Sequence, residues 1–129
     1  MRHLLIILLL AVFPCTLSAE VKRVLIIGNS YTFYNRLPEM LEALSKKTPN
    51  PLIVHSYTAG AMSLHGFLSM PEHAQARQML ERGDYDWVIL QDQSQTPARL
   101  GKNKKENTKA LDNAVALAQK VRKTSPDCN

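Results

Sequence analysis

The chain has 129 residues, a formal charge of +5 and a sequence pI near 9.4. That length leaves room for one small domain. The two cysteines, Cys15 and Cys128, exclude a disulfide framework and a cysteine-based metal motif. The positive excess lies mostly between Arg99 and Lys123, alternates with Glu106 and Asp112 and has no interleaved aromatics, which describes a solvated helix face better than a nucleic-acid surface.

Residues 1–19 have the three-part layout of a secretory signal: basic Arg2 and His3, an apolar run over 4–13, and a small polar exit ending at Ala19. The run is shorter than the roughly 20 residues that span a bilayer, so a retained anchor is the weaker alternative. Phe13 and Pro14 disfavour lipid attachment at Cys15. The expected mature protein is 20–129, exported to the periplasm or beyond, with no stable membrane span and with Cys128 as its one cysteine.

The mature part alternates strands and helices. A strand is predicted over 21–27, apolar almost throughout, as a strand covered on both faces should be. A helix follows over 37–46, with Pro38 and Glu39 in its first turn. Then come a strand over 52–57 and helices over 63–69 and 71–82, broken at Pro71. After the Gly83-Asp84 turn comes a strand over 87–91. A last helix spans 104–123, with Ala110, Leu111, Ala114, Val115, Leu117, Ala118 and Val121 as one buried face. This alternation predicts an α/β fold with a parallel sheet. Ser125-Pro126-Asp127 breaks the last helix as a loop into a further strand would. The expectation is therefore the N-terminal part of a longer domain, with an open sheet edge; a complete small domain ending in a helix is the alternative.

In a parallel sheet the loops leaving the three strands share one rim, where open α/β sheets bind ligands. The first loop carries Gly28, Asn29 and Ser30, the second Thr58, Ala59 and Gly60, the third Gln91, Asp92, Gln93 and Ser94. Ser30 is a candidate nucleophile, and Gly28 allows the tight turn and close approach of a substrate. The Gly60 N–H and the Gln93 side-chain amide are candidate oxyanion donors. Each also has a plainer reading: Ser30 as a helix cap, Gly60 as a turn glycine, Gln93 as a surface residue. A serine nucleophile needs a base. His55 reads as structural and His73 as exposed, while His65 is the histidine able to approach the rim.

Ile26-Ile27-Gly28-Asn29-Ser30-Tyr31-Thr32, Gly60, and Tyr85-Asp86-Trp87-Val88-Ile89-Leu90-Gln91-Asp92-Gln93-Ser94-Gln95 together resemble the SGNH/GDSL hydrolase superfamily, from about residue 21 to the end. They are most similar to a bacterial branch with a Gly-Asn-Ser first block. The resemblance implies a flavodoxin-like three-layer α/β/α fold and metal-free, cofactor-free hydrolysis of esters, including acyl groups on carbohydrates. It implies Ser30 as nucleophile, Gly60 as an oxyanion-hole donor, and Gln93 where the family usually has asparagine. Asn29 replaces the usual aspartate and Tyr31 the usual leucine. The family's Asp-x-x-His block, which supplies the base, has no counterpart after Ser30. The expectation is a serine esterase whose segment 20–129 is nearly inactive alone. The alternatives are a catalytically silent carbohydrate- or acyl-binding module of the same fold, and a phosphate- or flavin-binding domain using Ser30 and Thr32.

Overall fold

The computed structural model describes residues 20–98 and 104–128. The expected export segment and residues 99–103 of the basic stretch lie outside the described residues. Three parallel strands, β1 (Lys22–Gly28), β2 (Leu52–Thr58) and β3 (Trp87–Leu90), form a sheet in the order β2-β1-β3. The register aligns Val24 with Val54 on one side and with Trp87 on the other.

β1 is central because its sequence suits no other place. Val24, Leu25, Ile26 and Ile27 are at most 3% exposed, so apolar side chains on both faces are covered. Alternation sends Leu25 and Ile27 to one face and Val24 and Ile26 to the other. The first face carries the main core. There Leu64 and Phe67 of α3 (Leu64–Ser69), Ala76 and Leu80 of α4 (Ala74–Arg82), and Leu117 and Val121 of α6 (Lys104–Thr124) pack with Leu25, Ile27 and Tyr85. The other face holds α2 (Leu37–Ser45), whose Glu42 carboxylate accepts a hydrogen bond from the Val54 N–H at 3.1 Å. Connections of one hand in a 2-1-3 sheet must lie on opposite faces, as these do. The fold is α/β in three layers.

Local chemistry fixes the joints. α4 stops at Gly83, whose φ of 76° suits glycine and where a Cβ would lie 2.8 Å from the Thr124 carbonyl oxygen. The Asp86 carboxylate accepts from the Arg23 N–H at 2.7 Å and from Lys22 Nζ at 3.2 Å, tying the entry of β3 to the start of β1.

All the expected strands and long helices form with ends within one residue of prediction, except that the helix expected over 71–82 begins at Ala74, after a 3-10 turn at Pro71–His73. Two short helices, α1 (Ser30–Phe33) and α5 (Gln95–Ala98), were not expected. Three details of burial differ. His73 is buried rather than exposed, since the 3-10 turn at Pro71–His73 folds its ring under Tyr57, whose hydroxyl lies 3.0 Å from His73 Nδ1. Leu111 and Val115 are 59% and 53% exposed, since α6 meets α3 and α4 on one side only. Trp87 and Ile89 of β3 are 41% and 45% exposed, on a strand that among the described residues has a neighbour on one edge only.

Candidate active site

At the carboxyl end of β1 the chain turns through Gly28 and Asn29 into α1, with Ser30 half-buried at the first helical position. A Cβ on Gly28 would sit 2.8 Å from Gln91 Oε1 and closer still to Thr32 Oγ1, so glycine is required by crowding. Asn29 caps α1: its Oδ1 accepts from the Tyr31 N–H at 3.2 Å, and its carbonyl accepts from the N–H groups of Thr32 and Phe33.

Asn29 is 2% exposed and fully bonded. Its backbone N–H donates to Gln91 Oε1 at 2.8 Å. Its side-chain Nδ2 donates to the Met62 carbonyl at 2.9 Å and to the Asp92 carbonyl at 3.3 Å. Met62 follows Gly60 in the loop after β2, and Asp92 precedes Gln93 in the loop after β3. A second set of bonds joins those loops directly, as Asp92 Oδ1 accepts from the N–H groups of Leu64 at 2.9 Å and Gln93 at 2.7 Å. Gln91 completes the floor. Its Oε1 also accepts from Thr32 Oγ1 at 3.1 Å, and its Nε2 donates to the Asp92 carbonyl.

The three rim loops are therefore held together by side chains. Gly60 is exposed, and nothing lies within 4 Å of where its Cβ would be. The left-handed residue of its turn is Ala61, at φ 57°. Gly60 lies in the turn closed by the Met62 N–H on the Ala59 carbonyl, and neither packing nor a left-handed backbone demands glycine there. Gln93 is half-buried, and its Oε1 accepts from the Gln95 N–H at 2.7 Å. That bond uses the carbonyl end and leaves Nε2–H as the donor.

Beside these loops lies a cavity of about 710 Å³ lined by Ser63, His65, Gln93, Thr96, Lys109 and Asn113 among others. His65 lines it beside Gln93, with Nδ1 3.4 Å from Asn113 Oδ1. His55 projects from β2 against the Tyr85 ring, and His73 is locked among Tyr57 and Phe67. Just after Ser30 in the chain, Tyr31, Phe33 and Tyr34 are exposed, with the Phe33 and Tyr34 rings stacked at 6.0 Å. Among the described residues no group of three or more His, Cys, Asp or Glu is placed to hold a metal ion, and no helix is long and apolar enough to cross a membrane.

Sequence reasoning named Ser30, Gly60 and Gln93 but gave Asn29, Gln91 and Asp92 no task. One signal was present: an asparagine directly after the strand that carries the apolar run 24–27, opposite a Gln-Asp pair after the neighbouring parallel strand.

Among solved structures, the chain is similar to a protein described as a putative SGNH hydrolase from Slackia heliotrinireducens, with a TM-score of 0.61 and 24% identity. The match covers 81% of this chain and 52% of that one. The chain has part of the SGNH-hydrolase fold. It spans about half the length of the structure it matches. No protein-family model and no curated protein matches it.

Proposed function

We propose that this chain carries the nucleophile-bearing part of a serine ester hydrolase of the SGNH type. Ser30 Oγ attacks the ester carbonyl carbon. The Gly60 N–H and Gln93 Nε2–H bind the carbonyl oxygen as it gains negative charge, the alcohol leaves, and water then releases the acyl group from Ser30. The proton of Ser30 passes to a base supplied by an Asp-x-x-His block, which no residue after Ser30 provides in this sequence. The reading is supported above all by the two bonds from Asn29 Nδ2, which join the loops of Gly60 and Gln93 to the residue next to Ser30.

The substrate class we propose is a short-chain acyl ester of a polyhydroxylated alcohol such as a carbohydrate. The cavity beside Gln93 offers hydroxyl, amide, carboxylate, ammonium and imidazole groups to the hydroxyls of such an alcohol. Export through residues 1–19 would set the reaction outside the cytoplasm, which fractionation of the producing cell checks.

Removing the base from such a triad costs about 10⁴-fold or more in kcat, so this segment alone is nearly silent. The test measures 4-nitrophenyl acetate turnover by this chain and by one extended through an Asp-x-x-His block, each with and without Ser30→Ala. Turnover should appear in the extended chain and vanish with Ser30→Ala; turnover that persists without the serine hydroxyl defeats the assignment. The second reading, a silent binding module, is favoured by the polar cavity itself, which needs no base to hold a sugar. Saturable binding of a methyl glycoside, with no serine-dependent turnover in either chain, would select it.

A further inference from the structure

We propose that Asn29 is the positioning residue of the site. Its carboxamide sets the separation of the three rim loops, and in this chain it acts as an amide because both groups that face its nitrogen are carbonyl oxygens. The inference rests on the ester-hydrolase reading for its purpose but on hydrogen bonds alone for its geometry.

Asn29 reaches every element that the reading uses. It adjoins Ser30 in the chain, its backbone N–H meets the Gln91 side chain after β3, and its Nδ2 bridges Met62 and Asp92 from the other two loops. Those partners lie 33, 62 and 63 residues away, so no local turn could hold the same distances. Both N–H donors of the side chain are spent on two carbonyls, and Oδ1 accepts at the cap of α1. A carboxylate has the same shape but no donor. In its place it would set negative oxygen against two carbonyl oxygens in a site 2% exposed, and burial with those partners would favour its neutral form. Protonation would return one donor.

The experiment compares amide hydrogen-exchange protection in the parent chain, Asn29→Ala and Asn29→Asp across pH 4 to 8, corrected for intrinsic rates. The rim reporters are Met62, Leu64 and Gln93, whose N–H groups bond Ala59 O, Asp92 Oδ1 and Asp92 Oδ1. The core reporters are Leu25 and Ile27. With the clamp gone, rim protection should fall by about tenfold or more relative to the core, the worth of one or two ordinary hydrogen bonds. In Asn29→Asp the rim should regain protection as pH falls, while Asn29→Ala should show no such recovery. A purely structural asparagine would loosen rim and core by one factor with no acid rescue, and that result overturns the proposal. If neither variant folds, Asn29 is a residue on which the whole sheet depends, and the positioning role is likewise overturned. Loss of serine-dependent ester turnover in the extended parent chain would defeat the hydrolase reading and leave these protection patterns standing.

Discussion

Gly28→Ala probes the floor under Ser30 most directly. The added methyl would lie 2.8 Å from Gln91 Oε1 and nearer still to Thr32 Oγ1, atoms already bonded to each other at 3.1 Å. Room can be made only by moving one of them, which breaks that bond and loosens the one from the Asn29 N–H to Gln91. Two hydrogen bonds cost about 1 kcal/mol each. Overpacking a tight site adds about 1–3 kcal/mol. The stiffer unfolded chain returns about 0.4–1 kcal/mol. The net is a destabilisation of about 2–5 kcal/mol, read as a lower urea midpoint with unchanged slope. Thr32→Ala removes the nearest obstruction. Alone it should cost about 1 kcal/mol, the worth of its hydrogen bond. Combined with Gly28→Ala, it should cost less than the sum of the singles by about 1–2 kcal/mol. A Gly28→Ala midpoint equal to the parent's, or strict additivity in the cycle, would refute the crowding argument.

Gly60→Ala should leave the melting free energy within about 0.5 kcal/mol, because space above Gly60 is open and its backbone is not left-handed; a larger loss in calorimetry would reveal a demand on glycine that the geometry lacks. Phe67→Ala empties a fully buried position between Tyr57 and His73 and should cost about 3–5 kcal/mol in urea unfolding. The Arg23 N–H, with help from the Lys22 ammonium, holds the Asp86 carboxyl below its ordinary range. Its contribution is therefore present above the unfolded value, near pH 3.9, and fades as pH falls through the lower folded value. Asp86→Asn should accordingly be less stable than the parent at pH 6, and the gap should close below about pH 4; a gap constant with pH would sink the linkage.

How much of this was legible depends on what kind of contact carries each feature. Residues 24–27 announce a central strand because only a strand covered on both faces is apolar at every position. The same apolar look misleads at β3, where Trp87 and Ile89 lie bare, since composition does not say which neighbour covers a face. Leu111 and Val115 keep helical spacing yet stay exposed for the same reason. His73 gave no periodic signal, as its burial comes from a 3-10 turn after a proline. That the loops carrying Ser30, Gly60 and Gln93 leave the same end of a parallel sheet follows from the alternation of strands and helices. The clamp at Asn29 was not legible, because it joins loops that only the folded sheet brings together.

The half-bare indole of Trp87 gives the molecule a built-in optical gauge. It is the chain's single tryptophan, so its emission comes from one known place on β3, a strand with one edge unpaired among the described residues. Any segment that docks along that border strips water from the ring and shifts its fluorescence to the blue. One cuvette can then follow the covering of the sheet without a label.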